Sequence, residues 1–570
     1  MSGRISRRGL VGGLALGLAA LAAGCDGQGA PEPAPTGAGP GGPTGGGGTV
    51  GASAALSPPP SGPPYTLRIL AGSEVQDMQP VLADVQRDTG VSVQFGYTGT
   101  LAGAAVVASG QADARYDALW FGSNRYLRLD PAAAARLLSE TPVMVSPVAI
   151  GVRASVLASL GWDPARTGWA QLGEAVAAGR LTFGMTDPAQ SNSGLSALIA
   201  LASVFSGAQA ALTEDDVVKA APALRSLFAG QRLTSGSSGW LAEAYQRAVL
   251  TGAGGPVGAL INYESVLLSL NRTLSSDAQL TVIRPVDGVV SADYPLTLLA
   301  SATAPARAAF DRLAAALLRP EVQREISDTT ERRPVGAEVA LGPGLGADRR
   351  PELSFPGSRA VADALVAAYQ NELRRPSRTV YVLDTSGSMK GARLDGLKQA
   401  LGGLTGATGS PAGAGFRERE EVTLMSFADA VKWSRTHQVP ASAPQAELAA
   451  IEADVQSLAA GGGTAIYDAL EQAYRLVARQ QAAAQDDRFT SIVLMTDGES
   501  NEGASAADFT AFYQALPAAG RAVPVFPILF GEGARAQLQA IADTTGGRLF
   551  DASTGDGSLA AVFEEIRGYQ

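Results

Sequence analysis

The chain has 570 residues, of which 46% are hydrophobic and 17% charged, and its formal net charge is -10. Because this length exceeds what one hydrophobic core can organise, we expect two folded domains. Lysine occurs at only four positions, which argues against nucleic-acid binding, and the single cysteine and single histidine exclude an intrachain disulfide and a Cys/His zinc cluster. We expect His437 to be exposed and without a chemical role.

The N-terminal segment has the pattern of an export signal with a lipid anchor. Arginines precede an apolar run at residues 10–23, which is shorter than the roughly 20 residues of a membrane span and suits the core of a signal peptide. Residues 21–25 resemble a bacterial lipobox, in which Cys25 becomes the lipidated first residue. Leu21 stands four positions before Cys25, one more than is usual, so an ordinary secretory signal is the alternative. Residues 6–10 also resemble a twin-arginine signal, and both export routes stay open.

Residues 26–64 consist mainly of Gly, Pro, Ala, Ser and Thr, with almost no large apolar side chain. Such a composition buries too little surface to fold, so we predict a flexible tether that spans roughly 35 Å. With acyl chains on Cys25, the folded part of the chain would lie at the extracytoplasmic face of a bacterial cell membrane.

From residue 65 the pattern changes to strands that alternate with helices. Apolar strands are predicted at 66–71, 91–95 and 116–121, with helices at 77–89 and 101–109 between them. This alternation indicates a parallel sheet covered on both faces, and ligands of such sheets bind beyond the carboxyl ends of the strands. Hydroxyls at these ends suit an oxygen-rich or anionic ligand, although plain helix capping uses the same residue types. The candidate ligand-binding residues there are Ser73, Thr98, Thr100 and Ser123.

The same half of the chain resembles an extracellular solute-binding protein of the two-lobed, type 2 periplasmic-binding-protein class. The segments that carry the resemblance are the crossings between lobes at 143–150 and 292–296, a second-lobe helix start at 187–194, a strand with a carboxylate at 261–264, and a closing helix and tail at 319–323 and 333–335. By this resemblance the lobes would close on a small solute or glycan, with Ser193 and Glu264 as further ligand-binding candidates. Glu264 and Asp187 are equally compatible with a structural role.

The C-terminal third repeats the strand-and-helix pattern around a nearly continuous apolar run at 378–383, which is typical of a strand buried on both faces. A helix follows with Leu394, Leu397, Leu401 and Leu404 on one face. Further strands are predicted at 421–427, 430–435, 491–496, 523–530 and 547–551. Further helices are predicted at 360–374, 445–458 and 558–568 and after Thr464. Pro527 is unexpected inside a central strand.

Three loops of this region carry oxygen-bearing side chains at one predicted sheet edge: Asp384, Ser386 and Ser388, then Thr464, then Asp497. A hard divalent cation takes oxygen ligands, and two carboxylates roughly balance its charge. The set resembles the metal-ion-dependent adhesion site of von Willebrand factor A (vWA) domains. That resemblance implies a Rossmann-like fold, Mg²⁺ (or Mn²⁺ or Ca²⁺) held by these five residues, and a protein partner that offers a carboxylate, without catalysis.

The predicted fold class is therefore α/β throughout, with a two-lobed domain followed by a Rossmann-like domain. The predicted organisation is a signal peptide at 1–24, a tether at 25–64, a solute-binding-like domain at 65–350, a linker with a bridging helix at 351–376 and a vWA domain at 377–570. The favoured hypothesis is a lipid-anchored extracytoplasmic binding protein. The alternative is the substrate-binding receptor of an ABC-type transporter with an accessory vWA domain. A metal-dependent hydrolase is a third hypothesis, against which the lack of histidines at the site counts.

Overall fold

The computed structural model describes residues 62–251, 257–406, 415–484, 486–531, 535–552 and 559–569. The predicted signal peptide, Cys25 and tether residues up to 61 lie outside the described residues. No helix in the described ranges combines the length and the hydropathy that a membrane span requires.

The described elements alternate between strands and helices along most of the chain. In chain order the strands are β1 (Tyr65–Ala71), β2 (Val91–Tyr97), β3 (Ala118–Trp120), β4 (Leu137–Pro142), β5 (Met144–Arg153), β6 (Phe183–Thr186), β7 (Gln231–Ser235), β8 (Ala259–Tyr263), β9 (Leu280–Ile283), β10 (Ser291–Ala292), β11 (Pro295–Leu299), β12 (Arg333–Pro334), β13 (Ser377–Asp384), β14 (Glu421–Phe427), β15 (Val431–Gln438), β16 (Phe489–Thr496), β17 (Val525–Leu529) and β18 (Phe550–Asp551). The helices are α1 (Gln79–Thr89), α2 (Thr100–Ala108), α3 (Arg125–Arg128), α4 (Pro131–Ala134), α5 (Ala154–Leu160), α6 (Trp169–Ala177), α7 (Asn192–Ser206), α8 (Glu214–Phe228), α9 (Ser238–Thr251), α10 (Glu264–Asn271), α11 (Ala304–Leu317), α12 (Pro320–Thr330), α13 (Arg359–Ala368), α14 (Ala392–Leu404), α15 (Gln445–Gln456), α16 (Ile466–Ala484), α17 (Ala506–Ala515), α18 (Ala518–Arg521), α19 (Arg535–Thr545) and α20 (Leu559–Arg567). Short 3₁₀ turns lie at Ser73–Met78 and Gly387–Met389, and α13 continues into a π-helical turn at Tyr369–Leu373.

The N-terminal domain has two lobes, each built on its own sheet. The first sheet has the order β2-β1-β3-β11-β4, and the second has the order β10-β5-β8-β6-β7, with β9 and β12 also paired to β5. The chain passes from the first sheet to the second between β4 and β5, and it returns between β10 and β11. These are the two crossings that the sequence predicts.

Two buried tryptophans, one from each lobe, hold the chain on either side of β10, near the return crossing. The indole nitrogen of Trp120 donates to the carbonyl of Tyr294 at 3.1 Å, beside the return crossing. The indole nitrogen of Trp169 donates to the carbonyl of Gly288 at 2.9 Å. Both side chains are fully buried, and a buried indole N–H needs such an acceptor. The hydrogen bonds therefore orient each ring as well as satisfy it.

The C-terminal domain is one six-stranded sheet with the order β15-β14-β13-β16-β17-β18. β13 is buried along its whole length and is parallel to both neighbours, β14 and β16, while β15 is antiparallel to β14. The predicted leucine face of α14 is buried against one side of the sheet: Leu394, Leu397, Leu401 and Leu404. A second cluster, centred on α16, covers the opposite side. This is the Rossmann-like arrangement that the sequence predicts.

Pro527 is accommodated in β17 because of the direction in which its nitrogen points. Ile492 donates to Pro524, and Phe530 donates to Thr496, so the even-numbered residues of this strand bond to β16. The nitrogen of Pro527 faces the other side, where β18 pairs only with Ile528 and Leu529. The missing N–H therefore removes no bond from the sheet.

The C-terminal domain packs on the second lobe through the amino-terminal ends of its strands. Arg417, which precedes β14, donates to Asp187 at the end of β6 over 3.1 Å, and both side chains are almost fully buried. The Thr234 hydroxyl of β7 donates to the carbonyl of Gly568, at the end of α20, over 3.2 Å. The carboxyl-terminal ends of the same parallel strands, where Asp384 lies, point away from this contact.

Candidate metal centre and solute cavity

Asp384 is the last residue of β13 and lies completely buried at the sheet edge. Its Oδ1 accepts from the backbone N of Ser386 at 2.7 Å, and its Oδ2 accepts from the Thr496 hydroxyl at 2.6 Å. These two donors fix the carboxylate plane. Burial raises the pKa of Asp384 by more than the hydrogen bonds from Thr496 and Ser386 lower it. A cation at this edge would stabilise the charged form of the carboxylate.

Hydrogen bonds connect the two predicted serine ligands, Ser386 and Ser388, to Asp497. The hydroxyls of Ser386 and Ser388 lie 3.0 Å apart, and the Ser388 hydroxyl donates to Oδ1 of Asp497 at 2.8 Å. Together with the bond from the backbone N of Ser386 to Asp384, these contacts join four of the five predicted ligands, drawn from the ends of β13 and β16, in one hydrogen-bonded group.

The glycine run before Thr464 lies directly against this group. Gly387 donates to the carbonyl of Gly462, and Gly461 donates to the carbonyl of Thr385, each at 2.9 Å. Thr464 itself is buried, and its backbone N donates to the Asn501 side chain at 2.9 Å. The third loop is thus held at the same edge as Asp384 and Asp497.

The donor set fits a hard divalent cation. It offers two carboxylates and three hydroxyls, which are the oxygen ligands that Mg²⁺ and Ca²⁺ prefer. Within the described residues no group of three or more His, Cys, Asp or Glu side chains is gathered as a metal site. The oxygen atoms that would face the ion hydrogen-bond one another instead.

A cavity of about 370 Å³ lies between the two lobes of the N-terminal domain. The first lobe contributes the ends of β1 and β2, and the second lobe contributes the loop before α7 and the start of α9. The polar residues that line it from the lobes are Ser73, Glu74, Thr98, Thr100, Gln190, Ser191, Asn192 and Ser237. The backbone N of Thr100 donates across the cavity to the carbonyl of Gln190 at 3.2 Å, so the lobes touch in this structure. Burial raises the pKa of Glu74 in the cavity wall.

Comparison with known families assigns both domains. Residues 67–329 match the family described as bacterial extracellular solute-binding protein, and residues 380–565 match the von Willebrand factor type A domain. The chain contains a solute-binding domain over residues 67–329 and a vWA domain over residues 380–565. This agrees with the fold inferred from the sequence and with the two lobes and single sheet seen here.

Individual relatives match only parts of the chain. A stretch of 130 residues is 33% identical to inter-alpha-trypsin inhibitor heavy chain H4 of Sus scrofa and spans 22% of this chain and 13% of that protein. A stretch of 161 residues is 30% identical to the uncharacterized protein sll0103 of Synechocystis and spans 28% of this chain and 34% of that protein.

Among solved structures, the periplasmic binding protein AfuA of Actinobacillus pleuropneumoniae aligns with 54% of this chain and 98% of its own, at 13% identity and a TM-score of 0.44. A von Willebrand factor type A protein of Catenulispora acidiphila aligns with 34% of this chain and 42% of its own, at 20% identity and a TM-score of 0.28.

The predicted solute-binding residues separate into two groups. Ser73, Thr98 and Thr100 line the cavity, whereas Ser123, Ser193 and Glu264 do not. The Ser123 hydroxyl accepts from the backbone N of Arg125, and the Ser193 hydroxyl lies in a buried network with Thr186, Ser191 and Ser238. Backbone and neighbouring hydroxyl groups engage these side chains inside the lobes, and the assignment of Ser123 and Ser193 to solute binding stays a prediction.

Glu264 is a structural carboxylate in this fold. It is almost fully buried and accepts two hydrogen bonds from Arg333, at 2.7 and 2.8 Å, and Arg284 lies 3.3 Å from it. Asp187 is likewise paired with Arg417 and does not line the cavity. Two acidic residues placed by sequence near the cleft thus join elements of the fold instead.

His437 is not exposed, contrary to the expectation from its sequence context. Its side chain is 8% exposed, with Nδ1 lying 2.7 Å from Glu447 and Nε2 3.0 Å from Asp454. Both partners lie on α15, so His437 ties β15 to that helix. The signal that sequence reasoning missed is the acidic pair on the predicted helix 445–458.

Three residues that the sequence did not single out organise the candidate metal edge of the vWA domain, which is the edge that carries Asp384 and Asp497. Thr496 orients Asp384, as described above. Lys432 donates to the carbonyls of Thr385 and Gly461, each at 2.9 Å, and so joins two of the ligand loops. Arg393, on α14, donates to Oδ2 of Asp497 at 2.6 Å. Their positions in the sequence carry no motif, because each acts through a contact between distant segments.

Replacement of Arg393 by glutamine is expected to strengthen Mg²⁺ binding to the whole protein by about threefold to tenfold, because a guanidinium beside Asp497 opposes a second positive charge. Isothermal titration with MgCl₂ at two ionic strengths measures the effect, which should shrink at the higher one. Lys390→Gln removes the same charge from an exposed position in the loop before α14 and serves as the control. Equal or weaker Mg²⁺ binding by the Arg393 variant would contradict the prediction.

Proposed function

We propose that the protein is a membrane-anchored extracytoplasmic binding protein with two sites. Its vWA domain would engage a protein partner through Mg²⁺ held by Asp384, Ser386, Ser388, Thr464 and Asp497. Its two-lobed domain would bind a small hydroxyl-rich solute or glycan. The anchor would be the lipid attached to Cys25, and the tether would hold both domains away from the membrane surface.

The observation that supports the metal part most strongly is the hydrogen-bonded group that joins Asp384, Ser386, Ser388 and Asp497. When bound, Mg²⁺ supplies a Lewis-acidic position that attracts a carboxylate oxygen of the partner. Asp384 and Asp497 supply the balancing charge, while Thr496 and Lys432 hold the ligand loops in place. Ser388 is exposed, which puts the edge within reach of another protein.

The position of this edge also favours partner binding. β13 has eight residues, so its two ends lie about 25 Å apart at roughly 3.3 Å per residue. The second lobe covers the amino-terminal end, beside Arg417, and the metal edge is at the other end. A partner would therefore approach Asp384 without displacing the solute-binding domain.

The lining of the cavity supports a small polar solute. Hydroxyls, side-chain amides and Glu74 offer both donors and acceptors to a hydroxyl-rich molecule, and the volume lies within the range of small-molecule sites. Delivery to an ABC-type transporter is the alternative function. Because the vWA domain covers part of the second lobe, fewer faces of the lobes are open to a transporter, and we favour the binding-protein function.

Crosslinking on intact cells tests the partner proposal. Cells that carry the wild-type protein should yield a crosslinked partner, read by mass spectrometry, in MgCl₂ and lose it in EDTA. Asp384→Ala should lose the same partner in MgCl₂, while Asp395→Ala, an exposed carboxylate on α14, should keep it. If the partner is crosslinked equally well in EDTA and by the Asp384→Ala variant, the proposal of metal-dependent partner binding is wrong.

A further inference from the structure

The cavity between the lobes has a third wall, and that wall comes from the vWA domain. Arg548, just before β18, and Glu565, on α20, line the cavity together with residues of both lobes. Nη1 of Arg548 donates to Glu565 at 2.7 Å and to the Tyr569 hydroxyl at 3.1 Å. The three side chains form one hydrogen-bonded unit, of which Arg548 and Glu565 line the cavity.

This unit also holds a lining residue of the second lobe. The guanidinium carbon of Arg548 lies 3.3 Å from the centroid of the Trp240 ring, and the ring of Tyr569 stacks on Trp240 with centroids 6.1 Å apart. Cation–π and stacked contacts of this kind stabilise a ring in one orientation. The conformation of Trp240, at the start of α9, therefore depends on the vWA domain.

The end of α20 approaches the second lobe too closely for a side chain. A Cβ added to Gly568 would lie 2.5 Å from Cα of Gly236 and 2.8 Å from its nitrogen, and it would also overlap the Gln190 side chain. Gly236 and Gln190 both line the cavity. Arg567, one residue earlier, is anchored to Glu420 at 2.6 Å. The backbone of Gly568 therefore packs directly on Gly236, and the ion pair between Arg567 and Glu420 holds the end of α20 in this position.

We propose that the vWA domain completes the solute site: Arg548 and Glu565 form a wall that contacts the solute, and access to the cavity depends on docking of the end of α20 against Gly236. Among the described lining residues Arg548 alone is cationic, so the vWA domain supplies the positive charge of the site, beside the carboxylates of Glu74 and Glu565. The inference deepens the solute-binding part of the proposed function and rests on it for the nature of the ligand. A fragment ending near residue 350 would lack this wall.

Thiol labelling inside the cavity tests the wall without a known solute. In the full-length chain with Cys25→Ser, Ala189→Cys places a thiol in the cavity lining, and its rate of reaction with a maleimide reports access. Gly568→Ala is expected to accelerate labelling about tenfold, because it undocks the wall. Gly239→Ala, in α9 next to Trp240, meets nothing within 4 Å and should leave the rate unchanged.

Arg548→Gln provides a second variant if Gly568→Ala does not fold, as judged by circular dichroism and the melting temperature. It removes the contacts to Glu565 and Trp240 and should also accelerate labelling. Labelling rates of folded Gly568→Ala or Arg548→Gln that equal the rate of Gly239→Ala would overturn the proposal. Acceleration without protection of the thiol by any of a panel of mono- and disaccharides would support the wall and refute the saccharide class of solute.

Discussion

Asp384→Asn is expected to weaken Mg²⁺ binding by about 100-fold or more, since it removes one of the two carboxylates that balance the charge of the ion. The substitution keeps the size of the side chain and an oxygen that accepts from Ser386 or Thr496. The loss should therefore reflect charge and not collapse of the loop. Isothermal titration of the full-length protein with MgCl₂ and with MnCl₂ measures it directly.

Asp395→Asn is the matched control, because this carboxylate is exposed on the helix that follows the ligand loop. It should bind Mg²⁺ as the wild type does. Undiminished binding by Asp384→Asn would place the ion elsewhere and remove the basis of the proposed partner site. The melting temperature of the variant in EDTA should match that of the wild type within a few degrees, since Asp384 carries a desolvation cost in the metal-free state.

Glu420→Gln is expected to destabilise the folded chain by about 3–5 kcal/mol, because it leaves buried arginines without their counter-charge. Glu420 is 1% exposed and lies 2.6 Å from Arg567 and 3.1 Å from Arg374, and it accepts from the backbone N of Arg417 at 3.0 Å. The group joins α20 to the strand edge that docks on the second lobe. Urea unfolding followed by circular dichroism measures the loss.

Glu372→Gln is the control, since the pair of Glu372 with Arg225 is exposed on both sides and should contribute about 0–1 kcal/mol. A loss for Glu420→Gln no larger than this would contradict the buried cluster. Because the same substitution loosens the end of α20, it should also accelerate thiol labelling in the cavity.

The difference in unfolding free energy between the wild type and Glu420→Gln should fall on acidification. Burial acts to raise the pKa of Glu420, but the charges of Arg567, Arg374 and Arg417 outweigh it, and the pKa in the folded state is lowered. The stabilisation is therefore complete above the unfolded-state pKa of about 4.3 and is lost as the pH falls through the lower folded-state pKa. The difference in unfolding free energy should be constant from about pH 8 to pH 5.5 and shrink below that. A difference that grows on acidification would contradict the assignment.

Regular elements were predictable where a local pattern is strong. The run at 378–383 forms β13, which is buried at every residue. A strand covered on both faces is a nearly continuous apolar run, and this pattern is easy to recognise in a sequence. The leucines of α14 all face the core as their spacing predicts. Ends were less accurate: the strand predicted at 547–551 is only Phe550–Asp551, because only these two residues pair with β17, and Arg548 contacts Trp240 of the second lobe.

Side-chain partners across elements were less predictable. Ser193 and Glu264 stand at plausible strand and helix ends, yet neighbouring hydroxyls and two arginines engage them inside the lobes. The sequence likewise did not predict the acidic partners of His437 or the hydrogen bonds of Lys432 to the ligand loops. In each case the partner arrives from another element, and no spacing within one segment encodes that meeting.

The sequence by itself determined the two α/β domains and brought Asp384, Ser386, Ser388 and Asp497 to one edge, because parallel strands place their carboxyl ends together whatever surrounds them. Only the tertiary structure decided which polar residues face the cavity, and that the vWA domain closes it. Arg548 and Trp240 lie far apart in the chain, and their contact depends on how two complete domains dock. Such docking depends on the shape and charge of assembled surfaces, which no local pattern of residues carries.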